Sequence, residues 1–269
     1  MRNLKAILAL FLLTSLLASL MTGCSTASSP GSASKEKVEL TISAAASLTD
    51  AMKEIQSSYE AKHSAVKLNF NFGASGALQK QIEQGAPVDL FLSAATKNLN
   101  ELVAQGLIDA NQHNIILTNE LLVIIPGDRP AEVRGLQDLT NESIKLIAIG
   151  IPESVPAGSY TQEALKNAQL WNELQPKLVQ AKDVRQVLQY VETGNADAGF
   201  VYKSDALTSQ DIAISFAVDP ASYTPVEYPI GILKSTRHLK ETTELYDYLQ
   251  SKEALGIFTK YGFSAAHSS

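Results

Sequence analysis

The sequence predicts an α/β protein of two lobes with mixed, mostly parallel sheets. Beyond residue 37, short apolar strands alternate with amphipathic helices, and repeated βα units are typical of parallel sheets. Roughly 230 residues follow this pattern, enough for two lobes, and it restarts near Leu121. Several strands also end in turns of small residues, the place where sheets of this class bind ligands.

Composition and charge exclude one class of partner. The 269 residues are 45% hydrophobic and 19% charged, with a net charge of −6. Loss of a leader that contains Arg2 and Lys5 leaves 20 basic and 28 acidic residues, a charge of −8. A protein that binds nucleic acid needs a basic face, so this acidic charge argues against nucleic acid as a partner. A small anion stays possible, because local dipoles set the field inside a pocket.

The N-terminus has the pattern of an export signal. Arg2 and Lys5 precede an apolar run, Ala6 to Met21, which is short for a membrane span. We interpret residues 1–23 as a signal peptide, because Met21-Thr22-Gly23-Cys24 resembles a lipobox apart from methionine in the usual leucine position. Cys24, the only cysteine, would then be acylated. The alternative is cleavage elsewhere, which would leave a free thiol.

Residues 24–37 are rich in serine and lack an apolar pattern, so they predict a flexible tether. A folded body on such a tether would be exported. We expect it to be lipid-anchored at the outer face of the cytoplasmic membrane, or periplasmic.

The first lobe begins with two similar units, each a strand, a small-residue turn with a serine, and a helix. Strand Val38 to Ile42 leads through Ala44–Ala46 and Ser47 into a helix from about 48 to 61. The helical spacing places Leu48, Met52, Ile55 and Tyr59 on one apolar face. Strand Val66 to Phe72 leads through Gly73-Ala74-Ser75-Gly76 into the second. A strand at 88–92 and a helix at 98–105 complete the series.

The second lobe repeats the alternation. Its predicted strands are 121–125, 145–150, 177–181, 198–202 and 212–218, and its predicted helices are 160–168 and 184–193, with Asp183 as an N-cap. A last strand at 228–233 and helices at 241–250 and 253–261 are best placed by a return to the first lobe. The lobes would therefore be 38–120 plus 228–269, and 121–227.

Four helix starts and one strand end are candidate binding elements. They are Ser47, Ser75, the Ala157-Gly158 turn, Val184, and Tyr202 at its strand end. Taken singly, each turn is explained by helix capping, and Ser47 is predicted to be an N-cap with Asp50 as capping-box partner. Taken together, helix-start N–H groups and hydroxyls could form a donor-only site. Such a site suits a deprotonated tetrahedral dianion, because a protonated phosphate would bury an unpaired O–H at about 1–3 kcal/mol.

Several longer segments carry a resemblance to a known family. The segments are AAASLTDAM, FGASGALQKQIEQGAPVDLF, PESVPAGSY, KLVQAKDVRQVLQYVETGNADAGFVYKSDA, VEYPIGI and IFTKYGF. They resemble the molybdate-binding proteins of ABC-type transporters, the ModA family. The resemblance implies a type II periplasmic-binding-protein fold with a hinge. It also implies oxyanion ligands: hydroxyl and N–H from Ser47 and Ser75, N–H from Ala157 and Val184, and the hydroxyl of Tyr202, with molybdenum held as the oxyanion.

The resemblance therefore predicts a monomeric receptor that captures molybdate, and also tungstate, for an ABC permease, without a cofactor or a catalytic step. A second interpretation is a receptor for sulfate, phosphate or a small carboxylate. A carboxylate site would usually use an arginine fork; Arg185 lies beside Val184, but we interpret it as a surface or supporting charge.

A third interpretation is a serine hydrolase or transferase that uses Ser47 or Ser75. It requires a histidine near the serine, and no G-x-S-x-G motif is present. The four histidines are far apart in the sequence and are not expected to cluster.

Overall fold

The computed structural model describes residues 37–128 and 133–266. Within these ranges the chain forms one compact body. The predicted signal peptide, Cys24 and all of the predicted tether except Lys37 lie outside the described residues.

Strands and helices alternate through most of this body. The strands are β1 (Val38–Ala45), β2 (Val66–Gly73), β3 (Leu90–Leu92), β4 (Ile108–Asn119), β5 (Leu121–Pro126), β6 (Ile147–Gly150), β7 (Leu178–Ala181), β8 (Ala198–Tyr202), β9 (Ile212–Ala217), β10 (Val226–Leu233) and β11 (Ser264–Ala265). The α-helices are α1 (Thr49–Lys62), α2 (Ser75–Glu83), α3 (Thr96–Ala104), α4 (Pro156–Asn167), α5 (Trp171–Leu174), α6 (Val184–Glu192), α7 (Lys203–Ala206), α8 (Leu239–Leu249) and α9 (Lys252–Lys260). Short 3-10 turns are Ala46–Leu48, Leu136–Thr140, Gln175–Lys177 and Pro220–Ser222.

The described strands form two sheets. The first has the order β11-β4-β10-β3-β1-β2, and the second has the order β7-β6-β8-β5-β9. The α/β class and the mixed sheets were predicted correctly. The prediction that the strands pair mostly in parallel was wrong. Among the described pairings, four are parallel and five are antiparallel.

The antiparallel pairings arise where the chain passes between the sheets. Strand β4 ends at Asn119, and β5 begins in the other sheet at Leu121. Strand β10 then returns and pairs antiparallel with both β3 and β4. Strand β4 was not predicted, because its polar, partly exposed residues lack the alternation expected of a strand.

Apolar spacing did identify the buried faces correctly. Met52, Ile55 and Tyr59 of α1 are fully buried, as a helical period of 3.6 residues requires. Strand β5 is buried along its whole length.

Within residues 37–128 and 133–266, every helix is too short or too polar to span a bilayer.

Helix α4 begins four residues earlier than predicted. Pro156 is its first residue, a position that suits proline because the first N–H of a helix has no internal partner. The helix lies close to the end of β6: a Cβ on Gly158 would be only 2.0 Å from the carbonyl oxygen of Gly150. Glycine is required at this contact, and it brings Ala157 to the carboxyl end of β6.

Candidate functional site

A small cavity lies where the carboxyl ends of β1, β2 and β8 meet the first turns of α2, α4 and α6. Its volume is about 10 Å³, which leaves room for one small group. All five predicted binding residues line it. The full lining is Ala45, Ala46, Ser47, Gly73, Ala74, Ser75, Ala94, Val155, Pro156, Ala157, Asp183, Val184 and Tyr202.

Ser47 lies in the 3-10 turn that follows β1, and the prediction that it caps a helix was wrong. Helix α1 begins at Thr49, and no side chain caps it. The tight turn after β1 moves the helix start past the serine. The buried Ser47 hydroxyl instead lies 2.9 Å from the hydroxyl of Tyr228. Asp50, the predicted capping-box partner, pairs with Arg185.

Ser75 is the first residue of α2 and is completely buried. Its Oγ accepts a 2.9 Å hydrogen bond from the N–H of Ala94. A hydroxyl has one hydrogen to donate, so the Ser75 hydrogen stays free for a group in the cavity.

Ala157 and Val184 place helix N-termini at the cavity wall. Ala157 is the second residue of α4, and Val184 is the first residue of α6. N–H groups in a first turn have no partner inside their helix and carry partial positive charge. Asp183 caps α6 as predicted, because its Oδ1 accepts a 2.9 Å bond from the N–H of Gln186. Its other neighbours in the wall are uncharged.

Tyr202 ends β8, and only 1% of its surface is exposed. Its hydroxyl has no hydrogen-bond partner within the described part of the chain. Burial raises the pKa of Tyr202 well above its usual value, so the phenol keeps its hydrogen. A buried, unpaired hydroxyl costs stability, and its position in the cavity wall indicates a ligand that accepts a hydrogen bond.

No lysine or arginine belongs to the cavity lining among the described residues. Arg185 is directed away: its Nη2 donates to Asp50 Oδ2 at 2.6 Å, and its Nη1 donates to Thr208. Its Nε lies 2.8 Å from Asp205 Oδ1 in an ion pair without hydrogen-bond alignment. Burial of Asp205, opposed by Arg185, raises the pKa of that carboxyl to about 6. The cavity therefore offers neutral donors rather than a cation.

Three contacts join the elements on either side of the cavity. The N–H of Gly76 in α2 donates to the carbonyl oxygen of Ser154 at 2.9 Å. The Tyr160 hydroxyl donates to the carbonyl oxygen of Ala94 at 3.3 Å. The ion pair of Arg185 with Asp50 joins α6 to α1. These contacts close the cavity around its lining.

The surroundings of the two serines do not support nucleophilic catalysis. Ser47 contacts a tyrosine and Ser75 contacts a backbone amide, and neither partner can act as a general base at neutral pH. No histidine lines the cavity in the part of the chain that the structure describes. The same part contains no group of three or more His, Cys, Asp or Glu residues able to hold a metal ion.

The residues behind the cavity wall were not predicted from the sequence. Tyr228 contacts Ser47, and Asn119 contacts Tyr228 at 3.4 Å. Tyr228 lay in a segment that was quoted for its family resemblance, but no local pattern links it to Ser47. Gly76 was noted only as part of a turn, although its lack of a side chain is what permits the contact with Ser154.

Known proteins share the sequence pattern and the fold of this chain. A family model described as "Bacterial extracellular solute-binding protein" matches residues 40–264. The chain is 49% identical over 246 residues to "Putative ABC transporter substrate-binding lipoprotein YvgL" of Bacillus subtilis, with 91% of this chain and 94% of that protein covered. It is 37% identical over 239 residues to "Molybdate-binding protein ModA" of Escherichia coli, with 87% and 92% covered.

A solved structure is also similar. It is the "substrate binding domain of putative molybdenum ABC transporter from Clostridium difficile", with 42% sequence identity and a TM-score of 0.67. The match covers 86% of this chain and 100% of that chain.

Proposed function

The chain belongs to the bacterial extracellular solute-binding protein family, and from that premise we propose that it captures molybdate for an ABC transporter. Its two sheets form the fold of type II periplasmic binding proteins. Proteins of this family bind solutes outside the cytoplasm and are not enzymes.

The unpaired hydroxyl of Tyr202 is the observation that carries the proposal. It lies in a closed wall with the hydroxyls of Ser47 and Ser75 and with two helix starts. A fully deprotonated tetrahedral dianion accepts hydrogen bonds at every oxygen and donates none, so it would satisfy all of these groups. The ligands that we assign are therefore Ser47, Ser75, Ala157, Val184 and Tyr202.

The size of the cavity favours a single small oxyanion. The cavity measures about 10 Å³, which leaves room for one small group and not for a larger solute. Longer metal–oxygen bonds would let molybdate and tungstate reach donors on every wall. The shorter bonds of sulfate would leave some donors unpaired, at a cost of about 1–3 kcal/mol each. The names of the curated relatives, which include molybdate-binding proteins, support this assignment.

The division into lobes follows from the same proposal. We assign residues 38–120 plus 228–269 to one lobe and 121–227 to the other, an assignment that the membership of the two sheets supports. The crossings at Asn119–Leu121 and before β10 would form the hinge. A ligand shifts the lobes towards closure only if it binds the closed form more tightly than the open one.

We also propose that Cys24 carries a lipid and that the monomer delivers its anion to a membrane permease from the outer face of the membrane. The sequence around Cys24 and the name of the Bacillus subtilis relative support an anchor. Mass spectrometry of the membrane fraction should find Cys24 acylated at the mature N-terminus. A free thiol at that position would contradict the anchor.

Titration of the purified body that begins after Cys24 tests the anion assignment. Its melting temperature and calorimetric affinity would be measured with molybdate, tungstate, sulfate and phosphate. At 100 times its dissociation constant, the true ligand should add about 2.7 kcal/mol to the free energy of unfolding. Stabilisation by molybdate and tungstate is expected. Stabilisation by sulfate without any by molybdate would refute the assignment.

A further inference from the structure

The amide of Asn119 has a fixed orientation behind the cavity wall. Its Oδ1 accepts a 2.9 Å hydrogen bond from the N–H of Glu120, so its Nδ2 must point the other way. That Nδ2 donates to Ser204 Oγ at 2.9 Å and to the hydroxyl oxygen of Tyr228 at 3.4 Å. A flipped amide would place two donors against each other at Glu120 and remove both donated bonds.

The orientation of Asn119 determines the role of Tyr228. The hydroxyls of Tyr228 and Ser47 lie 2.9 Å apart, and either could be the donor. Ser47 Oγ is the acceptor within reach of the Tyr228 hydrogen among the described residues, so the arrangement that leaves no buried hydrogen unpaired has Tyr228 accepting from Asn119 and donating to Ser47. Tyr228 is 1% exposed, and burial raises its pKa well above the usual value. The hydrogen is therefore present at neutral pH.

Ser47 is the end of this chain of hydrogen bonds. Since its Oγ accepts from Tyr228, its hydrogen is left to point into the cavity that it lines. Ser75 is oriented in the same way, because its Oγ accepts a hydrogen bond from a different donor, the N–H of Ala94. Both serines thus present a hydrogen, rather than a lone pair, to the occupant.

We propose that Asn119 and Tyr228 are positioning residues that fix Ser47 as a hydrogen donor and thereby exclude anions that carry a proton. The proposal rests on the function above only in that the occupant is a tetrahedral anion. Neither residue lines the cavity, so each acts through Ser47. A protonated anion needs an acceptor for its own O–H, and a serine held in this orientation turns its hydrogen rather than a lone pair towards the anion. Asp183 is the one carboxylate in the described lining, and its Oδ1 is engaged by the N–H of Gln186 in the helix cap.

Tyr228→Phe is the first test, because it keeps the buried ring and removes only the hydroxyl. Molybdate affinity should fall severalfold, because Ser47 keeps its hydrogen but loses the bond that fixes its direction; removal of a hydrogen bond to the charged group itself would cost about tenfold or more. Phosphate carries a proton at neutral pH, and its affinity relative to that of molybdate should rise by at least as much. Ser47→Ala is the reference, since it removes the donor itself and should cost at least as much molybdate affinity. Melting without an anion checks that each variant folds.

Asn119→Asp is the sharper test, since it has the same shape but replaces the Nδ2 donor with an acceptor. Tyr228 would then donate to the new carboxylate and accept from Ser47, which would direct the serine lone pairs at the anion. Molybdate affinity should fall more than in Tyr228→Phe. The charge added by Asn119→Asp would weaken anion binding equally with or without the tyrosine hydroxyl. The double variant, Asn119→Asp with Tyr228→Phe, therefore separates the effect of charge from the effect of the reversed hydrogen bonds.

In the Tyr228→Phe background, most of the loss caused by Asn119→Asp should disappear. An equal loss in both backgrounds, or parent-like molybdate affinity and phosphate discrimination in Tyr228→Phe, would overturn the proposal. The molybdate assignment fails separately: if the parent binds sulfate and not molybdate, that assignment is wrong, and the same cycle measured with sulfate still decides the role of Asn119 and Tyr228.

Discussion

At the scale of single residues, the cavity is defined by where hydrogens point. Ser47, Ser75 and Tyr202 could each donate or accept in isolation. Their neighbours leave Ser75 a free hydrogen and leave Tyr202 without any partner in the described chain. A wall of this kind discriminates between anions by their protonation state as well as by their size, because an anion that does not match leaves a buried polar group unpaired.

Tyr202→Phe should weaken molybdate binding about tenfold or more, because the buried anion loses one donor. Without an anion, the melting temperature should be unchanged or slightly higher, since the lost hydroxyl has no partner among the described residues. Calorimetry and thermal melting measure the two effects.

Tyr223→Phe is a matched control for that variant. The Tyr223 hydroxyl accepts a 3.2 Å bond from the N–H of Leu121 and lies outside the cavity lining. This variant should lose stability, on the order of 1 kcal/mol. It should keep far more of the parent's affinity than Tyr202→Phe does, because it changes the proposed hinge at Leu121 and removes no group from the cavity wall. If Tyr202→Phe binds molybdate as the parent does, Tyr202 is not a ligand.

At the scale of elements, closure depends on how near α2 comes to the loop before α4. A Cβ on Gly76 would lie 2.7 Å from the carbonyl oxygen of Ser154, a backbone atom that cannot rotate away. The contact therefore exists only because residue 76 is glycine.

Gly76→Ala should weaken molybdate binding at least tenfold by holding the closed contact apart, while the stability of the anion-free protein changes little. Alanine is favoured over glycine inside helices by up to about 1 kcal/mol, so unfolding is not the expected cause. Gly256→Ala in α9 serves as control, because its Cβ would meet no atom within 4 Å. Unchanged affinity in Gly76→Ala, measured by calorimetry, would show that this contact is not required for binding.

The ion pairs of α6 predict a pH effect. The pKa of Asp205 is raised from 3.8 to about 6 by burial, so the folded state holds this proton more tightly than the unfolded state does. The resulting stabilisation is complete below about pH 4 and is lost as the pH rises through 6.

Asp205→Asn should remove that dependence. Its free energy of unfolding, relative to that of the parent, should rise between pH 4 and 6 by on the order of 1–3 kcal/mol and stay level above. Urea unfolding across this range measures the difference. A relative stability that falls with pH would mean that Arg185 outweighs the burial of Asp205.

At the scale of the whole molecule, an acidic protein binds an anion with local dipoles. The net charge is −6 for the whole chain and −8 without the predicted leader, and it repels a dianion at long range, whereas the neutral donors act only at contact. The two effects can be separated by salt, because the Debye length shortens from about 30 Å at 0.01 M to about 10 Å at 0.1 M.

The association rate of molybdate should therefore rise severalfold over that range of sodium chloride, while the dissociation rate stays nearly constant. Stopped-flow measurements on the parent test this, with Gly256→Ala as a variant of equal charge. An association rate that falls with added salt would indicate a positive field at the mouth of the cavity.

Local patterns determined a large part of this architecture. The apolar spacing of Met52, Ile55 and Tyr59 fixed the buried face of α1, and the turns ending in Ser47 and Ser75 marked the cavity side of the first sheet. These features could be predicted, because helical period, strand alternation and the small size of turn residues depend on neighbours in the sequence.

The tertiary structure alone decided which of those features meet. Ser47 and Tyr228 are 181 positions apart, and β4 is recognisable as a strand through its pairings with β10 and β11. Ser47 lies in a 3-10 turn instead of capping α1, because the chain must turn sharply where β1 ends. Direction of hydrogen bonding and closeness of backbones depend on distant partners, and no local pattern encodes them.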